Sequence, residues 1–247
     1  MRLLVTRPQP QADAWVARLR EAGFDAVALP LIEVAAAPDV LAVEAAWHSL
    51  RGRALVVFVS PSAAECFVAA RPAGSEWPPS LAAAAVGPGT ARALREAGVA
   101  HVVEPAADST QFDSEALWQQ LARRDWRSAA VLIVRGDGGR DWLTARLQNA
   151  GATVDALAAY TRRPPRWHGD AAAALHAALS APADHRWLFS SSQAIDHLAA
   201  ASAGTDWRRA HALATHPRIA ARARSIGIAD VIEARASFDA VVSALRA

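Results

Sequence analysis

Short apolar runs alternate along these 247 residues with longer segments in which apolar side chains recur every three or four positions. The runs Leu3–Thr6, Ala26–Leu29, Leu55–Val59, Ala83–Val86, His101–Val103, Val131–Val134, Val154–Leu157, Trp187–Phe189, Ala212–Ala214 and Val231–Ile232 read as strands. A turn rich in Pro, Gly or Ser follows most of them, and then a helical stretch of roughly 10 to 14 residues. Strand, turn and helix in alternation is the grammar of a parallel sheet covered by helices on both faces, with right-handed crossovers. The ten strands divide into five per sheet. The fold class expected is therefore α/β, with two doubly wound parallel-sheet domains, and ligands in such sheets bind beyond the carboxyl ends of the strands.

The pattern also repeats. LLVTRPQPQADAWVARLREAGFDAVAL from Leu3 matches VLIVRGDGGRDWLTARLQNAGATVDAL from Val131, which sets Arg7, Leu19 and Gly23 over Arg135, Leu147 and Gly151. VFVSPSAAECFVAA from Val57 matches WLFSSSQAIDHLAA from Trp187, with Ser60 over Ser190. VGPGTARALREAG from Val86 is answered by ATHPRIAARARSIG from Ala214, and Glu104 to Phe112-Asp113 by Glu233 to Phe238-Asp239. A duplication of this size implies two similar domains facing each other across a ligand cleft. Two proline-bounded stretches, PLIEVAAAP (residues 30–38) and AAYTRRPP (158–165), extend equivalent strands of the two copies and look like connecting strands. If the chain crosses at both, residues 1–29 plus 166–247 form one domain, residues 38–157 the other, and residues 30–37 and 158–165 the connectors. A single cut near Ser128 is the alternative, and the residues barely separate the two.

Composition narrows the chemistry. All 26 basic residues are arginine, so Schiff-base chemistry and the Walker-type phosphate loop, which need a lysine amine, are excluded. Net charge is only +2 and no basic stripe or aromatic platform accompanies the arginines, so no nucleic-acid partner is expected. Arginine's planar fork still suits bidentate capture of carboxylates. No apolar run approaches the roughly 20 residues that cross a bilayer, and no signal peptide is visible, so a cytoplasmic protein without a membrane partner is expected, acting as a monomer. Cys66 reads as a small core residue rather than a nucleophile. Gly136 to Gly139 (GDGG) lacks the GxGxxG spacing of a dinucleotide loop, and the eight histidines show no metal-ligand spacing. No metal and no dinucleotide loop is expected.

What remains looks like a set of anion cradles. Ser60 to Ser62 and Ser190 to Ser192 precede equivalent helices, and Gly87 to Thr90 precedes a third. Helix N-termini offer free amides and a positive dipole end to carboxylates, although plain N-capping by the same hydroxyls competes as an explanation. Arg7 and Arg135, equivalent in the repeat, each follow a strand and are candidates for carboxylate binding, against a salt bridge as the alternative; Arg140 and Arg162 are further candidates.

VTRP at the N-terminus, FVSPSAAE, VGPGTARAL, DSEAL, VLIVRGDGGRDWL, the lone tyrosine in AAYTRRPP, FSSSQAI and ATHPRIAARARSIG occur together, and their order and spacing resemble the uroporphyrinogen-III synthase family along the full chain. The resemblance implies two flavodoxin-like domains joined by a two-stranded connector, which favours the crossing. It implies hydroxymethylbilane, a linear tetrapyrrole, as the substrate and no cofactor. The implied reaction loses hydroxide to an azafulvene, attacks the substituted carbon of ring D, and passes through a spiro intermediate to a ring closed with that pyrrole inverted. The resemblance makes Tyr160 the catalytic candidate, a phenol that donates a proton or hydrogen bond to the departing hydroxide; the alternative is a ring that packs the connector with its hydroxyl in water. Site roles come by resemblance to Ser60, Thr90 and Ser190. With them, Arg7, Ser62, Gly87, Arg135, Gly136, Ser191, Thr215, His216 and Arg218 make up the expected substrate-binding set. His216-Pro217-Arg218 departs from the family's Gly-Pro-Thr-type turn, leaving Thr215 as the nearest hydroxyl. A hinged non-enzymatic binding protein and a sugar-phosphate enzyme are the competing classes; the first should carry an export signal and the second a fuller phosphate fingerprint.

Overall fold

Leu4 packs on one side of its sheet while Leu3 and Val5 pack on the other, and this alternation along one buried strand is why helices cover both faces. In the computed structural model, which describes residues 1–247, that strand is β1 (Arg2–Val5). It is followed by α1 (Gln11–Glu21), whose Ala12, Trp15, Val16 and Leu19 form an inward stripe, and by β2 (Ala26–Ala28). The chain then passes through β3 (Glu33–Ala35) into α2 (Val40–His48), β4 (Leu55–Phe58), α3 (Pro61–Ala69), β5 (Ala83–Ala85), α4 (Pro88–Glu96), β6 (Val102–Val103) and α5 (Ser114–Leu121). Next come β7 (Ala130–Gly136), α6 (Trp142–Asn149), β8 (Thr153–Arg163) and α7 (Gly169–Ser180). The last segment holds β9 (His185–Phe189), α8 (Ser192–Ala201), β10 (His211–Ala214), α9 (Pro217–Ser225), β11 (Asp230–Glu233) and α10 (Phe238–Arg246).

These elements form two units, Met1–Val34 with Arg163–Ala247, and Ala35–Arg162. The sheet of the first runs β11-β10-β9-β1-β2, with parallel neighbours throughout. Helices α1 and α10 cover one face through Trp15, Leu19 and Val241; α7, α8 and α9 cover the other through Ala178, Ile195, Leu198 and Ile219. The sheet of the second runs β3-β8-β7-β4-β5-β6. Leu117 and Leu121 of α5 and Leu143 and Leu147 of α6 pack on Leu55, Val57, Val131 and Ile133. The opposite side is aromatic: Trp47 stacks on Phe67 at 4.8 Å, Phe58 meets Phe67 edge-on at 5.6 Å, and the Trp47 indole N–H donates to the Phe67 carbonyl.

The repeat explains both sheet orders. β1 and β2 correspond to β7 and β8, and β4, β5 and β6 correspond to β9, β10 and β11. Written by repeat position, each sheet has the doubly wound order 2-1-3-4-5, the flavodoxin-like arrangement. Each sheet, however, takes its first two strands from one copy and its last three from the other. The topological switch points fall between β1 and β9 and between β7 and β4, where the two contributions meet.

Two details differ from the pattern read in the sequence. There are eleven strands rather than ten, because part of the first connector forms β3 and pairs with β8. β8 itself runs unbroken from Thr153 through Arg163, longer than the strand read at Val154–Leu157, so Tyr160 in the second connecting stretch is also a sheet residue opposite Gly136 of β7. Side-chain to main-chain bonds fasten both connectors: the Trp167 indole donates to the Pro30 carbonyl at 2.8 Å, and the Thr161 hydroxyl donates to the Ala36 carbonyl at 3.3 Å.

Dividing the chain after Ser128 breaks the β1–β9 and β4–β7 ladders, the central pairing of each sheet. The fragments 1–128 and 129–247 are therefore expected to unfold without a cooperative transition when produced separately, because each exposes apolar strand edges. The contiguous fragment 35–162 keeps a whole sheet and is expected to melt cooperatively by circular dichroism. Cooperative melting of both halves, with none for the middle piece, is the contrary result.

Candidate active site

The chemically distinctive group is the phenol of Tyr160, which is 4% exposed and hydrogen-bonded to Ser60 with an oxygen–oxygen distance of 3.1 Å. That contact gives the hydroxyl a partner within the protein. Ser60 stands at the end of β4, as the N-cap of α3 with extended backbone, and its Oγ also accepts the Ala63 N–H at 3.1 Å. Pro61 occupies the first helical position, where its missing N–H is not needed. Ser60 and Tyr160 thus meet at the carboxyl end of the sheet, beside the β7–β4 switch point.

Gly136 makes room for the ring. A Cβ there would lie 3.0 Å from Tyr160 Cζ, 3.2 Å from its hydroxyl and 3.3 Å from Arg162 Nε. The ladder is irregular at Arg135/Gly136, and the turn beyond acts as a clasp. The Asp137 N–H donates to the Tyr160 carbonyl at 3.0 Å, the Arg162 N–H to Asp137 Oδ1 at 3.3 Å, and the Arg162 guanidinium to the Gly138 carbonyl at 2.9 Å. GDGG is accordingly a strand-end fastener. Arg162, and with it Asp137, is the part of this site that the sequence under-weighted. The available signal was the two-residue period of a strand, which puts Tyr160 and Arg162 on the same face. Burial pushes the Tyr160 phenol above its ordinary pKa, and the nearby Cys66 and Asp137 act in the same direction; the Ser60 hydrogen bond and the Arg162 charge oppose them.

The other expected groups of this unit divide by exposure. Ser62 and Thr90 are buried inside the first turns of α3 and α4. Gly87 is the N-cap of α4, where a Cβ would come within 3.0 Å of the Phe112 Cβ. Arg135 is ion-paired with Asp141 at 2.5 Å and Arg140 with Glu115, so the salt-bridge alternative describes both as they stand. Arg162 Nε is buried without a hydrogen-bond partner.

At the carboxyl end of the other sheet, the Thr6 hydroxyl donates to the Leu188 carbonyl at 2.7 Å, fastening β1 to β9. The Arg7 guanidinium lies 4.2 Å from the centre of the Trp15 ring, a cation–π contact. Ser190 follows β9, but the N-cap of α8 is Ser191, one position later than the repeat register puts it, and its hydroxyl makes no capping bond. Thr215 is buried, with its N–H given to the Phe189 carbonyl. His216 takes the capping role in α9: its Nδ1 accepts the Arg218 N–H at 3.0 Å, which requires that nitrogen to be unprotonated. The turn at His216-Pro217-Arg218 thus starts α9 with an imidazole cap. No group of three or more His, Cys, Asp and Glu stands together to hold a metal; His211 does have a carboxylate partner, Asp230, at the opposite end of the strands.

Two doubly wound parallel sheets, one ending beside a buried phenol and the other beside a cation and helix N-termini, define an α/β protein of flavodoxin-like architecture. The family model for uroporphyrinogen-III synthase HemD matches residues 13–243. The uroporphyrinogen-III synthase of Proteus mirabilis is 30% identical over 165 residues, 66% of this chain and 80% of that protein. That of Salmonella typhimurium is 32% identical over 170 residues, 68% of each. In fold, the chain is similar to the Thermus thermophilus uroporphyrinogen III synthase mutant (TM-score 0.60, 18% identity, 100% of this chain and 96% of that one). It is also similar to the Helicobacter pylori uroporphyrinogen-III synthetase (TM-score 0.62, 15% identity, 98% and 97%). The chain belongs to the uroporphyrinogen-III synthase family.

Gly136→Ala tests the geometry of the site. The new methyl forces the Tyr160 ring or the Arg162 side chain to move, and a misplacement of this order is expected to lower turnover by about 10- to 100-fold. Overpacking of this kind costs roughly 1 to 3 kcal/mol, so the protein should still fold, with a reduced Tm. Steady-state kinetics and a thermal melt check both; wild-type turnover would show that the close approach is not needed.

Proposed function

We propose that this chain is a cyclising lyase that converts hydroxymethylbilane to uroporphyrinogen III, with loss of water and inversion of ring D, and that Tyr160 protonates the departing hydroxide. The observation that carries the reading is the buried phenol held between Ser60 and Gly136. The electron-rich pyrroles push the hydroxide off, so the protein's task is to supply a proton and hold the reacting carbon where ring D closes inverted. The acid must be protonated at working pH, and burial favours that form. The substrate's acetate and propionate groups are assigned to the helix starts at Ser60, Gly87, Ser191 and His216 and to Arg7, Arg135 and Arg218, with Ser190 beside them and Ser62, Thr90 and Thr215 supporting from within. In this reading Arg135 exchanges Asp141 for a substrate carboxylate. The partner is a small anion, and the reaction calls on no cofactor and no nucleic acid.

Tyr160→Phe is expected to lower turnover by roughly 10- to 1,000-fold, the span for removing one proton donor from a transition state, while fold and substrate binding survive. Ser190→Ala should cost less, because the backbone amides of α8 remain. A coupled assay from porphobilinogen, with type I and type III isomers separated after oxidation, provides the readout: type I, the spontaneous product, should rise as type III falls. In the wild type, loss of activity through Tyr160 ionisation should lie above the ordinary phenol range, because the folded-state shift is upward. Full type III production by Tyr160→Phe removes the proton-donor role.

A further inference from the structure

Ser60 and Ser190 are counterparts in the repeat, yet what faces them differs. By the same offset that sets Arg7 over Arg135, Tyr160 falls on Ile32 and Arg162 on Val34. Ile32 is buried in an apolar cluster and offers no polar group. One unit therefore has a serine with a phenol to hold and a cation nearby, while the other has the serine alone.

Counting reduces the bonding of Ser60 to two arrangements. A serine hydroxyl has one proton and two lone pairs, and the Ala63 N–H occupies one lone pair at 3.1 Å. The Tyr160 hydroxyl, 3.1 Å away, either donates to the other lone pair or receives the serine proton. Only in the second arrangement is the phenol's own proton left to point elsewhere. We propose that Ser60 is a positioning residue for Tyr160: anchored by the first turn of α3, it donates its hydroxyl proton to the phenol oxygen, leaving the phenol proton for the departing group. Arg162, whose Nε and the Tyr160 hydroxyl both flank the open face of Gly136, supplies a fixed positive charge beside the same oxygen. The inference rests on the reading of Tyr160 as the proton donor.

The step balances within the substrate and this site. The carbon–oxygen bond of the hydroxymethyl group breaks, and its electron pair goes to oxygen. The Tyr160 proton joins that oxygen to make water, and the phenolate left behind accepts the Ser60 O–H. A hydrogen bond accepted from an N–H polarises the serine hydroxyl and strengthens it as a donor. The spiro intermediate fragments and recloses through the unsubstituted carbon of ring D, and the proton that carbon sheds as the pyrrole regains aromaticity returns to the phenolate. The charged or titratable groups around Tyr160 are Arg162 on its own strand, Asp137 on the turn after β7 and Cys66 on α3. Of these only Arg162 stabilises the phenolate.

Because Tyr160 is the single tyrosine of the chain, its ionisation can be followed without assignment. Protein grown on tyrosine labelled with carbon-13 at Cζ gives one phenol resonance, which is titrated in the wild type and in Ser60→Ala, Ser60→Gly, Ser60→Thr and Arg162→Gln, with no substrate present. Removing a donor to the phenolate makes ionisation harder, so the titration midpoint should move up in Ser60→Ala, Ser60→Gly and Arg162→Gln, and return towards the wild-type value in Ser60→Thr. Glycine is a tolerated N-cap, so Ser60→Gly removes the hydroxyl with little loss of helix stability and keeps the test available if the alanine variant folds poorly. In the isomer assay Ser60→Ala and Ser60→Gly should lose kcat by about 10-fold or more with KM nearly unchanged, the size expected for a hydrogen bond to a charged group. A midpoint that stays put or falls in both variants overturns the proposal, as does a rise in KM with kcat intact, which would make Ser60 a substrate contact only. Failure of the proposed function shows separately, as wild-type protein that forms no type III isomer whatever the titration gives.

Discussion

Ser60 and Tyr160 are 100 positions apart in the chain and bonded in space because β4 pairs with β7 and β7 with β8. The site depends on that run of parallel ladders. From Leu55 against Val131 to Phe58 against Val134 the register is continuous, and it delivers the ends of β4 and β7 side by side at the switch point. Beyond Arg135 the regularity stops, and the irregularity lets Gly136 slip past Tyr160 and the chain turn back to clasp it. Rigid strands fix where the hydroxyls stand, while the one disturbed position gives the ring its space. A site assembled in this way inherits the precision of two buried strands rather than the looseness of a loop.

The duplication sharpens the point, because the two copies carry the same framework with different contents. Where Gly136 accommodates a phenol, the counterpart is Pro8; where Tyr160 stands, the counterpart is Ile32. The two replacements are coupled in physical terms. Without an aromatic ring crossing the strand end there is no Cβ to exclude, and proline becomes acceptable after the arginine. Trp15 lies where Leu143 lies in the other copy, and its ring carries Arg7 by a cation–π contact, whereas Arg135 is held by Asp141. The equivalent arginines are therefore fixed by different means: one on an aromatic face, the other by a carboxylate that a ligand's carboxylate could displace.

Much of this architecture is legible in the amino-acid sequence alone. Short apolar runs followed by Pro-, Gly- or Ser-bearing turns locate every strand but β3, because burial on both faces leaves a strong hydrophobic signal even in strands of three residues. The edge strand β3, half-exposed and drawn from a connector, leaves no such signal. The recurrence of the segments discloses the repeat. Periodicity reports which face is buried but is silent on what a polar side chain touches, and the unread parts of the site are all of that second kind. GDGG reads only as glycine-rich until its neighbours are known to be Tyr160 and Arg162. A histidine at position 216 gives no hint that its ring nitrogen will cap α9. The capping position of α8 falls on Ser191 rather than Ser190, since three consecutive serines leave the helix start undetermined by one residue.

The absence of lysine acquires meaning at this site. A phenol that must give up a proton is helped by a nearby cation only while that cation stays charged. A lysine ammonium titrates near pH 10.4, in the same range as an ordinary phenol, so the two would lose their protons together and the support would fade as the phenolate formed. A guanidinium holds its charge beyond pH 12 and does so in a plane that can bond a carbonyl on one edge while another nitrogen lies toward a second group. Arg162 uses that geometry, with one terminal nitrogen fixed on the Gly138 carbonyl and Nε beside the open face of Gly136. The opposing influences on Tyr160 are then of different character. Burial disfavours the phenolate at all times, keeping the proton in place in the resting state, whereas the serine bond and the arginine charge act most strongly on the phenolate itself. A phenol so surrounded is held protonated by burial, while the hydroxyl and the fixed cation beside it favour the ionised form.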